Sequence, residues 1–316
     1  MSVRVQCPNP ACGSSYSVAD EYLGRSGSCR KCGQRFTFST SFGGDAPEIL
    51  PDEGPPWGLS LGTMFGRYRI DKMLGEGGMG AVYLAFDTEL DRKVALKVPH
   101  FSAHENPEVI QRFRREAKAA AGFHHPNLCP VHDVGQIDGK HFLTMPYIEG
   151  ETLSSLLKEG PLPEQRAAEV IRILALALQR AHEKGVIHRD LKPSNIMVGL
   201  DGGLVVMDFG LARRGLAEDS LKTKAGELLG TPAYMAPEQV DGDVEAIGPA
   251  TDVYALGVIL YQLLTNRLPF VGRTAMSVLV QIQTATPPRP SELRPGLDRR
   301  LEAICLKAMA RNPEDR

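Results

Sequence analysis

The run His188-Arg189-Asp190-Leu191-Lys192-Pro193-Ser194-Asn195, followed by Asp208-Phe209-Gly210, is the strongest constraint on how this chain can fold. A fold that uses these residues together must bring one acidic and basic loop and one further acidic loop to a single point. Asp190 is then a catalytic carboxylate and Lys192 a phosphate-facing lysine, while Asn195 and Asp208 offer the hard oxygen ligands that Mg²⁺ prefers. The set suits transfer of a phosphoryl group from a Mg-nucleotide to a hydroxyl. That reaction needs an oriented acceptor oxygen and concentrated positive charge more than covalent help. In that chemistry Asp190 orients the hydroxyl and takes its proton late, and Lys192 neutralises charge on the moving phosphate. His188 follows the apolar Val186-Ile187 and reads as a packed core residue, not a base.

A second signal lies upstream. Gly75-Glu76-Gly77-Gly78-Met79-Gly80-Ala81-Val82 spaces its glycines so that backbone amides can approach phosphate oxygens. Its flanks read strand–turn–strand, whereas a dinucleotide fold needs strand–loop–helix. Lys97 ends the extended Val94-Ala95-Leu96-Lys97, where an ammonium needs an anionic partner; nucleotide phosphates and Glu116 in the following helix both serve. Strands are expected over Tyr68–Leu74, Ala81–Phe86 and Lys93–Val98, and helices over Pro107–Ala121 and about Pro163–Glu183. The second helix repeats Ala167, Val170, Ile171, Leu174, Leu178 and Ala181 at helical spacing. A strand-rich half followed by a helix-rich half argues for an α+β fold of two lobes around a cleft.

Charge divides the chain further. Residues 1–40 carry five Lys/Arg against two Asp/Glu, and residues 41–66 carry four acids and no base. The net charge of -2 gives no global pull toward nucleic acid or membrane. The Pro-, Gly- and acid-rich stretch 41–66 reads as a flexible linker between a cysteine-rich head, 1–40, and a domain over 67–316. The first 30 residues lack a signal-peptide core, and neither Val170–Leu178 nor Val253–Leu264 reaches the ~20 residues of a membrane helix. A cytoplasmic protein is expected, with a tether beyond Arg316 left open. The end at Asn312-Pro313-Glu314-Asp315-Arg316 reads as a domain cut before its last helix.

Residues 67–316 resemble the eukaryotic-type (Hanks-type) serine/threonine protein kinases, in particular the bacterial ones. The Gly-rich loop, Lys97, Glu116, His188-Arg189-Asp190, Asn195, Asp208-Phe209-Gly210 and Ala236-Pro237-Glu238 all occur in family order and spacing. Lys192 points to the serine/threonine branch. The resemblance implies a strand-rich N-lobe over 67–148 and a helical C-lobe over 149–316, ATP with Mg²⁺ or Mn²⁺, and protein substrates. It implies that Leu74 and the loop Gly75–Val82, with Ala95, Lys97 and Met197, enclose the nucleotide. Met145 is then the gatekeeper and Pro146, Tyr147 and Ile148 the hinge, with the Ile148 amide donating to adenine. Pro146 departs from the usual acidic residue, but the position offers only its carbonyl, which proline keeps. Asp252 would hold the catalytic loop through its backbone, and Glu238 would pair with Arg316. Arg189 is the basic residue that can clamp a phosphorylated activation loop, with Ser220 and Thr223 as candidate phosphosites and Thr223 the better placed. Thr231 is expected to contact Asp190 and Lys192.

The head carries Cys7-x4-Cys12 and Cys29-x2-Cys32 with 16 residues between the pairs. Four thiolates in two knuckles suit a tetrahedral structural Zn²⁺, and so short a segment needs such a staple. A redox pair at Cys29/Cys32 lacks its strand–helix context, and a cytosolic setting disfavours disulfides. The head resembles short zinc-ribbon modules. A protein partner suits it, and nucleic acid is possible but not favoured. Cys129 and Cys305 fall in apolar patterns and read as core. Against an active serine/threonine kinase stand a non-catalytic scaffold, which the presence of Lys97, Asp190 and Asp208 disfavours, and a small-molecule kinase, which Gly230-Thr231-Pro232 and Ala236-Pro237-Glu238 disfavour.

Overall fold

The computed structural model describes residues 2–7, 9, 12, 14–19, 26–29, 32, 34–37, 58–77, 80–101, 107–209 and 232–316. The chain forms two compact units, Met1–Ser60 and Leu61–Arg316. In the first, β1 (Ser2–Gln6) pairs antiparallel with β2 (Ser15–Ala19), and β3 (Ser26–Ser28) with β4 (Arg35–Thr37). Each hairpin carries one cysteine pair at its turn: the Cys7 amide donates to the Ser14 carbonyl at 2.8 Å, and the Cys29 amide to that of Gln34 at 2.7 Å.

The second unit begins with a six-stranded antiparallel sheet. It contains β5 (Met64–Phe65), β6 (Tyr68–Gly77), β7 (Gly80–Asp87), β8 (Arg92–Pro99), β9 (Asp133–Ile137) and β10 (Lys140–Pro146), in the order β5-β6-β7-β8-β10-β9. Strand β5 lies inside the stretch read as linker, so the ordered unit starts before residue 67. Phe65 is buried edge-on against Phe142, which a two-residue strand among glycines does not advertise. The sheet curls until its ends meet: Arg67 and Tyr68 both donate to Asp133 Oδ2, at 3.0 and 2.8 Å. Gly80 has φ 144, and a Cβ there would overlap the Val98 carbonyl, so the Gly-rich turn needs glycine at this point. Helix α1 (Pro107–Ala121) turns Phe113 and Ala117 into the core.

Beyond β10 the chain is mostly helical. Strand β11 (Gly150–Thr152) leads into α2 (Leu153–Leu156), whose first turn is capped by Thr152 accepting the Ser155 amide. Helix α3 (Glu164–His182) buries the Ala167, Val170, Leu174, Leu178, Ala181 stripe. Strands β12 (Ile196–Gly199) and β13 (Leu204–Val206) pair with β11 into a three-stranded sheet. Short α4 (Pro237–Asp241) precedes α5 (Pro249–Thr265), followed by α6 (Ala275–Thr284), α7 (Pro290–Leu293) and α8 (Arg299–Ala308). Pro249 opens α5 and Asn266, at φ 55, closes it. Twelve residues of α5 are buried, as befits a helix apolar on nearly all sides that forms the centre of a lobe. Gly257 lets α8 approach, since a Cβ would lie 2.8 Å from Met309 Cγ. Among the described residues no helix is long and apolar enough to cross a membrane. A strand-rich lobe followed by a helical lobe matches the expectation from sequence.

Candidate active site

Lys97 sits on β8 with its side chain 9% exposed, and its ammonium donates to Asp208 Oδ1 at 2.7 Å. Asp208 therefore supplies the anion that a buried lysine needs, while Glu116, also expected to face Lys97, lies on α1. Burial acts to raise the Asp208 pKa, but the charge and hydrogen bond of Lys97 hold the carboxyl below its usual range. Lys192 donates to Asp190 Oδ2 at 2.8 Å. Asn195 spends its amide nitrogen on Asp190, at 2.8 Å to the carbonyl and 3.2 Å to Oδ2, which leaves its amide oxygen as a ligand. The structure thus brings Lys97 to Asp208, and Lys192 and Asn195 to Asp190.

The loop that carries Asp190 is held through its backbone. Asp252, 1% exposed at the start of α5, accepts the His188 amide on Oδ2 and the Arg189 amide on Oδ1, both at 2.9 Å. Its Oδ2 also accepts from His182 Nε2 at 2.7 Å. His188 is fully buried, with Nε2 donating to the Met207 carbonyl at 2.8 Å and Nδ1 accepting the Asp190 amide at 3.3 Å. Its ring packs against Phe209, which also meets Phe123. His188 is thus a satisfied core residue. Arg189 (φ 66) and Asp208 (φ 59) both occupy the left-handed region, a strain of about 1–3 kcal/mol each that such crossed bonds sustain. Sequence reasoning missed His182 and Gln239, whose Nε2 donates to the Arg189 carbonyl at 2.7 Å. The signal for His182 was a polar residue in the last turn of α3, beside the buried stripe; Gln239 directly follows Ala236-Pro237-Glu238.

The expected nucleotide-facing residues are ordered by the sheet. Ala95 pairs with Leu84 on one side and Met145 on the other, and Val82 pairs with Lys97. Met145 and Ala81 are buried, Pro146, Tyr147, Ile148 and Met197 half-buried, and Leu74, Gly75, Glu76 and Gly77 exposed. Gly78, Met79, Gly210, Ser220, Thr223 and Thr231 lie outside the described residues. Arg316 grips Glu238 in a fork, at 2.7 and 2.8 Å, with both side chains almost fully buried. In the first unit the four sulfurs of Cys7, Cys12, Cys29 and Cys32 lie within 4.8 Å of one another, with Cys7–Cys32 at 3.6 Å and Cys12–Cys29 at 3.5 Å. Tetrahedral Zn–S bonds of about 2.3 Å require sulfurs about 3.8 Å apart, so the donor set fits that metal. Cys129 and Cys305 are core thiols, both pushed up to about 12 by burial.

Residues 68–316 match the family profile described as "Protein kinase domain". The chain belongs to the protein kinase family. The serine/threonine-protein kinase PknB of Mycobacterium leprae (strain TN) is 40% identical to it over 255 residues, 79% of this chain and 40% of the relative. The serine/threonine-protein kinase PrkC of Bacillus subtilis (strain 168) is 38% identical over 249 residues, 78% of this chain and 38% of the relative. The chain therefore spans about two fifths of the length of these curated relatives. The kinase domain also superposes on the crystal structure of the Mycobacterium tuberculosis PknI kinase domain with a TM-score of 0.66 at 30% identity, covering 82% of this chain and 94% of that one. Its two lobes are thus those of the kinase fold.

Proposed function

We propose that this kinase transfers the γ-phosphoryl group of ATP to serine or threonine hydroxyls of proteins. The observation that carries the reading is the pair of short contacts, Lys97–Asp208 and Lys192–Asp190, the second on a loop whose backbone Asp252 of α5 holds. Family membership implies ATP with Mg²⁺ or Mn²⁺. Asn195 and Asp208 would hold the metal; Lys97, the Gly-rich loop and the hinge Pro146–Ile148 would hold the nucleotide, which when bound supplies the phosphoryl group. Asp190 orients the acceptor hydroxyl and receives its proton, and Lys192 balances the charge that develops. Phosphate incorporation from radiolabelled ATP-Mg, into the chain itself and a generic basic substrate, tests this. Asp190→Asn is expected to lower the rate by about 10²–10⁴-fold. Equal incorporation by the variant rejects the reading.

Autophosphorylation at Thr223, or at Ser220, would order the activation segment against Arg189. Supporting this, Arg189 Nε is buried with no hydrogen-bond partner among the described residues. Phosphopeptide mapping after ATP incubation that finds neither hydroxyl modified rejects it. The first unit is a structural zinc module, supported by the sulfur spacing. It recruits or regulates through a protein partner, at the front of a domain spanning 67–316 in a cytoplasmic protein.

A further inference from the structure

Arg189 keeps its left-handed backbone because side chains from two other elements hold it. Its amide donates to Asp252 Oδ1 at 2.9 Å, and its carbonyl accepts from Gln239 Nε2 at 2.7 Å. The peptide joining Arg189 to Asp190 is therefore gripped at both ends, by Gln239 at the carbonyl and by His188 Nδ1 at the Asp190 amide, 3.3 Å away. That peptide is a rigid plane, and its tilt sets the direction in which the Asp190 side chain leaves the loop. Gln239 is fixed in turn. It is 5% exposed, lies on α4, and accepts the Ala236 amide on Oε1 at 3.1 Å.

We propose that Gln239 is a positioning residue for phosphoryl transfer, locking the Arg189–Asp190 peptide to α4 so that Asp190 is aimed only when the Ala236–Gln239 segment is in place. The proposal rests on the kinase reading above. It explains why the residue is a glutamine: one neutral buried group must donate to the Arg189 carbonyl and accept from the Ala236 amide. An ionised glutamate keeps the acceptor and loses the donor. Methionine keeps the length and loses both.

The test uses Gln239→Met and Gln239→Glu in the full chain, with two independent readouts. Hydrogen–deuterium exchange over residues 186–192 is expected to quicken in both variants while residues 253–264 of α5 exchange as in the parent, which excludes general unfolding. In the phosphate-transfer assay kcat is expected to fall about 10- to 100-fold, a loss typical of a slightly misplaced catalytic group. KM for ATP is expected to stay within about twofold, because the residues assigned to the nucleotide are untouched. Unchanged exchange over 186–192, or a fully active Gln239→Glu beside an impaired Gln239→Met, overturns the proposal and reduces Gln239 to a cap on α4. If the parent chain itself transfers no phosphate, the kinase reading fails and the catalytic part of the proposal with it, while the exchange measurement still decides whether Gln239 locks the Arg189–Asp190 peptide.

Discussion

Lys97 shows how one residue can serve both folding and chemistry. With 9% of its side chain exposed it must face an anion, and Asp208 provides one at 2.7 Å. Burial alone would raise the Asp208 pKa, but Lys97 reverses the sign and keeps the carboxyl below its usual range. A depressed folded pKa means that the pair stabilises the chain above the unfolded carboxylate range and that the effect is lost as pH falls through the lower folded value. Lys97→Met leaves the half-buried carboxylate without its main partner, so its folded pKa rises. The variant should therefore lose about 1–3 kcal/mol at pH 7, and the deficit should shrink as pH falls and the acid is protonated. Urea unfolding of parent and variant across that range tests this; a deficit that stays constant in acid would contradict it. The sequence made the charges at 97, 190, 192 and 208 and the carboxamide at 195 legible because each residue type has one plain use there. It did not reveal His182 or Gln239, which reach the Asp252 carboxylate and the Arg189 carbonyl only after the chain has folded.

At the scale of elements, α5 organises the helical lobe, and its sequence shows an almost continuous apolar run, Val253–Leu264, because nearly every face is buried. Strand β5 was not legible, since it is two residues long and its evidence is one buried contact, Phe65 on Phe142. The fork between Arg316 and Glu238 ties the chain end to α4. Arg316 also donates to the carbonyls of Ala250, Ala310 and Arg311, and its guanidinium lies 5.1 Å from the Tyr254 ring centroid. Thr251 adds a third hydrogen bond to Glu238 at 2.8 Å. Arg316→Ala removes all the arginine's donors and leaves the buried carboxylate with Thr251 alone, so a loss of about 3–5 kcal/mol is expected. Arg316→Lys restores the charge but only a compact, point-like donor group, and should fall between the alanine variant and the parent. Denaturant midpoints for the three proteins check the order. Equal midpoints for Arg316→Ala and the parent would show that the fork contributes nothing net.

At the scale of the whole molecule, two units with different sources of stability share one chain. The unit Leu61–Arg316 has a continuous apolar core built on α3 and α5 and needs no staple. The unit Met1–Ser60 shows among its described residues two short hairpins and four converging sulfurs. A segment of that size buries too little apolar surface to fold well alone, so on the proposed zinc reading its stability comes from the metal its sulfurs fit. The two should therefore respond separately to metal removal. The purified chain is expected to hold one Zn²⁺. Chelation, or Cys29→Ser, should abolish the protected amides at Cys7 and Cys29 while leaving the thermal transition of the larger unit where it was. Elemental analysis with exchange of residues 2–37, read beside calorimetry of the same sample, separates the outcomes. Loss of both signals together would mean that the head is integral to the kinase fold. Loss of neither, with no zinc found, would mean that the cysteines hold no metal and the hairpins stand by other means.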